Sequence, residues 1–181
     1  MRWHNLLVSM LIVAAGVPLQ AQSPTYGLGK TAAGEEIRAW DIAVGPEGKE
    51  LPPGKGSAKE GATIYAERCA GCHGQTGIEG PFDRLVGGQG TLNTSRPVKT
   101  VGSYWPFATT VWDYINRAMP TDKPGSLTPD QVYALTAFLL YRNGIIQESE
   151  VMDAKSLPKV QMPNRNGFVA DPRPDWKNPT R

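Results

Sequence analysis

Two cysteines and a histidine lie within five residues of each other, in the run Cys69-Ala70-Gly71-Cys72-His73. Two thiols one helical turn apart can reach the two vinyl groups on one side of a haem, and the adjacent imidazole can then bind the iron. Thioether bonds make such a cofactor permanent. The run therefore predicts one covalently bound haem c, with Cys69 and Cys72 as its links and His73 as an iron ligand.

Two other kinds of site use a similar spacing. A dithiol redox site is also Cys-x-x-Cys, but it usually lies at a strand-to-helix turn, and no strands are apparent in this sequence. A structural zinc site needs four ligands, most often Cys and His. The chain has two Cys and two His, and His4 lies in the leader described below. We therefore favour haem attachment.

A methionine is the natural candidate for the second axial ligand of the iron, because His/Met ligation raises the reduction potential and suits electron transfer. We predict Met119, which is followed by Pro120 at the end of a predicted helix. The alternatives are Met162 in the tail, Met152 in polar surroundings, and an open site. A second histidine is excluded once His4 has been removed with the leader.

The N-terminal residues have the features of a secretory signal. Arg2 precedes an almost wholly apolar stretch, Leu6 to Val17, and Ala21 is a small residue at a plausible cleavage site. The apolar stretch is well short of the roughly 20 residues that cross a bilayer. We predict residues 1–21 to be a signal peptide and the mature protein to be periplasmic, with no stable membrane insertion. An uncleaved N-terminal anchor is the alternative.

Composition and charge limit the class of partner. The chain of 181 residues has 19 basic and 17 acidic side chains, so its formal net charge is only +2 and nucleic acid is not expected as a partner. It contains 20 Gly and 16 Pro. These make up about a fifth of the chain against an average near 12%, which indicates a loop-rich fold. The length favours one domain with appendages.

The haem motif follows a predicted helix. Ser57 and Glu60 have the spacing of a capping box, which begins a helix from about Ala58 into Cys69. A glycine-rich stretch, Gly71 to Gly102, comes next and has no periodic pattern. A loop of this length is unusual in a compact domain unless something else supplies its core. A bound cofactor would do so.

Two further helices are expected after this loop. Apolar residues at three- and four-residue steps predict a helix over Phe107 to Ala118, which Pro120 stops. Its shared face consists of Val111, Tyr114, Ile115 and Ala118. Thr128 caps a helix that runs to about Asn143 and ends at Gly144. Four of its side chains should point inward: Val132, Leu135, Phe138 and Leu139.

Irregular segments flank this central region. We assign residues 22–56 to an N-terminal extension, 57–146 to a haem domain and 147–181 to a Pro-rich C-terminal tail. The extension contains a short apolar patch, and we expect Trp40 to pin it against the domain. The tail is polar, and we expect it either to wrap the surface or to bind a partner.

Several of these residues resemble the pattern of class I c-type cytochromes. They are Gly61, Tyr65, the haem motif, Met119 with Pro120, and the last helix. The resemblance implies an all-α fold with a few helices wrapped around one covalent haem and with irregular N- and C-terminal extensions. It also implies Met119 as the second ligand.

The same resemblance implies two contacts. Gly61 and Tyr65 of the first helix would cross against Phe138 of the last helix. A carbonyl at Gly80-Pro81 would accept the second ring N–H of His73 and so fix the imidazole.

A narrower resemblance is to the cytochrome subunits of periplasmic molybdenum sulfite and sulfane dehydrogenases of sulfur-oxidising bacteria. The stretches that carry it are residues 26–29, 39–42, 85–92, 101–106, 151–154 and 159–168. It implies a carrier of single electrons rather than an enzyme, with such a dehydrogenase as donor and a downstream cytochrome or terminal oxidase as acceptor. A carrier for another periplasmic dehydrogenase is the alternative. A second alternative is a haem enzyme or gas binder with an open sixth site on the iron.

Overall fold

The computed structural model of the protein describes residues 26–173, so the predicted signal peptide lies outside the described residues. Most of the regular structure is helical. The helices are α1 (Gly34–Trp40), α2 (Ala58–Arg68), α3 (Ala70–His73), α4 (Ala108–Ala118) and α5 (Pro129–Arg142). Two short strands, β1 (Lys55–Ser57) and β2 (Val151–Asp153), and a 3₁₀ turn at Leu157–Lys159 complete it.

The crossing of α2 and α5 forms the centre of the core. A Cβ on Gly61 would clash with the carbonyl oxygen of Ala134 and would lie 2.7 Å from the Cβ of Phe138, so only glycine allows this close approach. The ring of Tyr65 lies 5.0 Å from that of Phe138, centroid to centroid. The predicted crossing is therefore confirmed.

Local capping sets where α2 and α5 begin. The Ser57 hydroxyl accepts a hydrogen bond from the backbone N–H of Glu60, and the Glu60 carboxylate accepts one from the backbone N–H of Ser57. Thr128 and Gln131 make the same reciprocal pair at the start of α5. Each predicted helix start is confirmed, because these signals depend only on neighbouring residues.

Helix α5 is enclosed on all sides rather than on one face. Every residue from Val132 to Leu140 is buried, including the four that were predicted to point inward. Helix α4 packs beside it, with Trp112 only 1% exposed and 5.5 Å from the ring of Tyr133. The predicted face of α4 is partly wrong, since Tyr114 is 46% exposed.

The two strands correct the expectation that the chain has none. β1 pairs antiparallel with β2, with Gly56 opposite Met152. A Cβ on Gly56 would lie 2.6 Å from the Cα of Ala134, so glycine lets the strand pass over α5. The pairing joins residues about 100 positions apart and ties the N-terminal extension to the C-terminal tail. The fold remains mostly helical, as predicted.

The extension is fixed by a different residue from the one expected. Trp40 is 87% exposed, whereas Val44 is 5% exposed and joins the core. The tail is also packed, since Leu157 and Met162 are buried. Within residues 26–173, no helix is both long enough and apolar enough to cross a bilayer.

Candidate functional site

The Cys-x-x-Cys-His run forms a turn between two helices. Helix α2 ends at Arg68, and the backbone of Cys69 (φ −125°, ψ −35°) breaks the helix before the single turn of α3. The backbone N–H groups of Cys72 and His73 both donate to the carbonyl oxygen of Cys69, at 3.1 and 2.9 Å. Positions 69 and 72 therefore lie one turn apart on the same side. Cys69 is half-buried, Cys72 is exposed, and both are free thiols.

The imidazole of His73 is held from one side only. Its Nδ1 lies 2.8 Å from the carbonyl oxygen of Asp83. A carbonyl only accepts, so Nδ1 carries the proton and Nε2 keeps its lone pair free to bind a metal. A carbonyl at Gly80-Pro81 was expected in this role, and the structure places Asp83 there instead.

The path of the loop explains this difference. A Cβ on Gly80 would clash with the carbonyl groups of Cys72 and His73, so the chain passes directly against the motif at this glycine. Two residues later the backbone N–H of Phe82 donates to the carbonyl oxygen of Cys72 at 3.1 Å. The carbonyl oxygen of Asp83, one residue further on, is the one that lies against the ring.

Tyr65 ties α2 to the residue after the motif. Its hydroxyl donates to the carbonyl oxygen of Gly74 at 2.9 Å. Burial raises the pKa of Tyr65 to about 12, so the hydroxyl keeps its proton and remains a donor at any physiological pH. The backbone on both sides of His73 is thereby fixed.

Met119 lies where α4 ends, at the edge of the core. It is half-buried, and its sulfur accepts a hydrogen bond from the hydroxyl of Thr121 at 3.4 Å. Met152 and Met162 are each 3% exposed and are enclosed by other core side chains. The expectation that Met152 has polar surroundings is wrong. Of the three candidates, Met119 alone has its sulfur at the core's edge and beside a donor.

The end of α4 is stabilised by a buried carboxylate. Asp113, 7% exposed, pairs with the guanidinium of Arg117 one turn later, at 2.8 Å from Nε and 2.5 Å from Nη2. The hydrogen bonds that Arg117 donates to Asp113, together with the negative charge of that carboxylate, raise the pKa of Arg117 above its usual value. The same carboxylate accepts the backbone N–H of Val44 at 2.8 Å. Asp113 therefore links the N-terminal extension to the helix that leads to Met119.

Asn143, at the end of α5, organises the long loop. Its side-chain amide donates to the carbonyl oxygen of Leu85 at 3.1 Å, and its side-chain oxygen accepts the backbone N–H of Gly87 at 2.9 Å. Its own carbonyl accepts from the side chain of Gln89 at 3.0 Å. The loop thus has hydrogen-bonded support from α5.

Comparisons with known proteins give a consistent result. Residues 56–139 match the family described as Cytochrome C oxidase, cbb3-type, subunit III. A chain of the crystal structure of the sulfane dehydrogenase SoxCD from Paracoccus pantotrophus is 46% identical, with a TM-score of 0.74. That match covers 82% of this chain and 74% of the other. No curated protein sequence matches the chain.

The likeness in sequence and fold covers 82% of the chain, which is more than the region around the haem motif. The chain belongs to the class I c-type cytochromes. Cytochromes of this family carry haem c bound covalently, which decides between haem and the two alternative uses of the motif. Among residues 26–173 there is no cluster of three or more His, Cys, Asp and Glu side chains that could hold a metal ion.

The residues of this cytochrome fit a covalent haem. The motif has two free thiols on one side of a turn and a ring nitrogen with a free lone pair, and the end of α4 carries the sulfur of Met119. Burial raises the pKa of Cys69 to about 11, so its neutral form is favoured. A neutral thioether suits this half-buried position, whereas redox-active dithiols have lowered pKa values.

Four residues of the cytochrome were not found by sequence reasoning: Asp83, Asp113, Thr121 and Asn143. Thr121, two residues after the candidate methionine, and Asp113, four residues before Arg117, had local signals, because both spacings let the side chains meet. The longer-range contacts of Asp83, Asn143 and Asp113 join residues 10 to 69 positions apart in the chain. Their partners become evident only in the folded protein.

Proposed function

We propose that this cytochrome is a periplasmic mono-haem carrier that accepts single electrons from a molybdenum sulfite or sulfane dehydrogenase. The observation that carries the proposal is the 46% identity, over 82% of the chain, to a chain of the sulfane dehydrogenase SoxCD. Two cysteines in the whole sequence suffice for one doubly linked haem. The signal-like leader supports export.

Four side chains would hold the cofactor. Cys69 and Cys72 would form the thioether links, while Nε2 of His73 and the sulfur of Met119 would bind the iron. The haem, when bound, supplies an iron that changes by one electron between its ferrous and ferric states. The carbonyl of Asp83 keeps the His73 ring in one tautomer and orientation, so the nitrogen ligand does not have to reorganise when the charge changes.

The edge near Cys72 offers the route for electrons. Cys72 is exposed and the adjacent Phe82 is 64% exposed, so a partner that covers these residues comes close to the linked edge of the cofactor. A short path of this kind allows transfer without opening the protein. Docking would depend on local surface complementarity, because the formal net charge is only +2.

The test is to mix the purified holoprotein with reduced sulfite dehydrogenase and, separately, with reduced sulfane dehydrogenase in a stopped-flow spectrometer. We expect rapid reduction of the haem by one of the two, at a rate that rises with enzyme concentration. A reduced periplasmic alcohol dehydrogenase is the control donor. Reduction by the alcohol dehydrogenase alone would support a general carrier instead.

A second measurement separates the carrier from a haem enzyme or gas binder. A six-coordinate iron with sulfur bound binds carbon monoxide or cyanide slowly, because the methionine must first leave. Prompt binding of either ligand by the native holoprotein would show an open sixth site and would contradict the proposed role.

A further inference from the structure

The N-terminal arm, which we define as residues 26–43, exposes large apolar side chains. Every residue of the arm is exposed, and α1 buries none of its own residues. Five large apolar side chains are open to solvent at fractions from 51% to 88%: Tyr26, Leu28, Ile37, Trp40 and Ile42. Scattered exposed apolar residues are ordinary, but five in 18 consecutive positions are not.

The arm is joined to a rigid attachment point. Val44 is buried, and its N–H donates to the carboxylate of Asp113 on α4. Two residues further on, the carbonyl oxygen of Pro46 accepts a hydrogen bond from the hydroxyl of Thr109 at 3.0 Å, also on α4. The arm therefore departs from the same helix that ends at Met119. It is an appendage of the haem-bearing domain rather than part of its core.

The exposed area is large enough to contribute substantially to a protein interface. Trp40 is 87% exposed and Tyr26 is 76% exposed. Since an aromatic side chain can bury about 150–250 Å², these two alone offer roughly 250–400 Å². A stable complex buries about 800 Å² on each partner. The two aromatic residues could supply about a third to a half of that, and Tyr and Trp are enriched among the residues that dominate binding.

The charges on the arm favour a protein surface over a lipid surface. The arm carries Lys30, Arg38, Glu35, Glu36 and Asp41, so acidic side chains outnumber basic ones, and Lys30 pairs with Glu36 at 3.3 Å. Helices that lie on membranes have polar faces rich in Lys and Arg. An apolar segment with balanced charges is instead suited to an apolar groove on another protein.

The arm is also long enough to hold a partner while that partner contacts the haem edge. Its helix of seven residues spans about 10 Å, at 1.5 Å per residue. The remaining residues can extend by about 3.3 Å each, so the arm reaches at most about 45 Å from Val44. A partner bound by the arm would be kept at high effective concentration near the cytochrome.

We propose that the N-terminal arm is a docking element whose Tyr26, Leu28 and Trp40 side chains bind an apolar groove on the protein that donates electrons to the cytochrome. This inference rests on the proposed function, because it takes the electron donor as the occupant. The arm holds the two proteins together, and the electron passes elsewhere, at the exposed edge near Cys72.

The test uses the full holoprotein from Gln22 onward and reduced sulfite or sulfane dehydrogenase, whichever reduces the wild type. We expect Leu28→Ala/Trp40→Ala to raise the dissociation constant at least tenfold and to slow haem reduction at low enzyme concentration. The rate at saturating enzyme, the absorption spectrum and the melting temperature should stay unchanged. The single variant Trp40→Phe, which keeps an aromatic ring at this position, should keep most of the binding of the wild type. Val169→Ala is the matched control, because Val169 is 91% exposed but lies outside the arm.

The outcomes separate the two proposals. Wild-type binding by the double variant would overturn the docking role and leave the proposed function intact. If neither dehydrogenase reduces the wild-type protein, the proposed function is contradicted, and so is the choice of the electron donor as the protein that the arm binds. Arm-dependent sedimentation with vesicles of anionic phospholipid would assign the arm to a membrane surface. Arm-dependent dimerisation in analytical ultracentrifugation would assign it to a second copy. Either of these results would also overturn the proposal.

Discussion

Thr121 offers a direct test of the assignment of Met119 as an iron ligand. Its hydroxyl donates to the sulfur of Met119 at 3.4 Å. A sulfur that also binds iron gives up more electron density to ferric than to ferrous iron. The hydrogen bond withdraws density from the same atom, so it opposes the ferric state more. Thr121→Val should therefore stabilise the ferric form and lower the reduction potential.

The size of the effect follows from the strength of the bond. A neutral hydrogen bond contributes about 0.5–1.5 kcal/mol net. For one electron, about 1.4 kcal/mol corresponds to 59 mV, so the full range is about 20–60 mV. Sulfur is a weak acceptor and Thr121 is exposed, so water competes for the hydroxyl. Only the difference in the strength of this bond between the two redox states shifts the potential, so we expect a decrease at the lower end of the range, about 20 mV.

The assay is a spectroelectrochemical titration of the holoprotein, with the far-red band of sulfur-bound ferric haem recorded in parallel. Thr121→Ser keeps the hydroxyl and should keep the potential of the wild type. Thr110→Val is the matched control, because the Thr110 hydroxyl donates to the carbonyl of Phe107 at the other end of α4. If Thr121→Val leaves the reduction potential unchanged while the far-red band stays intact, the hydrogen bond from Thr121 to the sulfur of Met119 does not influence the iron, and this reasoning is refuted.

Four further outcomes are expected. Met119→Ala should abolish the far-red band and allow prompt carbon monoxide binding, measured by absorption spectroscopy; an unchanged band would refute the ligand assignment. Asn143→Ala should lower the free energy of unfolding by about 2–4 kcal/mol in urea titrations, because buried loop groups lose their partners. Gly61→Ala should cost several kcal/mol or prevent folding, because its methyl overlaps α5. Hydrogen bonds from the Thr76 hydroxyl and N–H lower the pKa of Glu79 to about 2. The ionised Glu79 therefore stabilises the fold above its unfolded pKa of about 4.5, and this stabilisation is lost as the pH falls towards 2. Glu79→Gln should flatten the plot of melting temperature against pH between these two values.

Sequence patterns predicted what depends on near neighbours. The starts of α2 and α5 followed from capping pairs three residues apart, Ser57 with Glu60 and Thr128 with Gln131. The inward direction of Val132, Leu135, Phe138 and Leu139 followed from their helical spacing, whereas the burial of the whole stretch from Val132 to Leu140 was not predicted. The crossing at Gly61 came from a family resemblance and not from any rule of spacing, because only the tertiary contact makes a glycine necessary there.

The expectations that failed were those that depend on distant residues. Trp40 is the larger apolar side chain of the extension, but Val44 is the one that is buried, and its backbone N–H donates to the carboxylate of Asp113, 69 positions away. Strands of three residues have too little sequence to show an alternating pattern, and β1 exists only because β2 pairs with it. The role of Asp83 depends on how Gly80 lets the loop pass the motif.

The two candidate iron ligands are held by different means. His73 ends α3 and is held by contacts that span at most ten residues, from Tyr65 to Gly74 and from His73 itself to Asp83, and its neighbours Cys69 and Cys72 would be covalently joined to the cofactor. Met119 depends instead on contacts that are distant in sequence: the packing of α4 against α5 and the carboxylate that joins α4 to the N-terminal extension. Loss of tertiary packing should therefore release the methionine before the histidine. If Met119 binds the iron as proposed, the N-terminal extension therefore helps to hold this ligand, through the hydrogen bond that the backbone N–H of Val44 donates to Asp113.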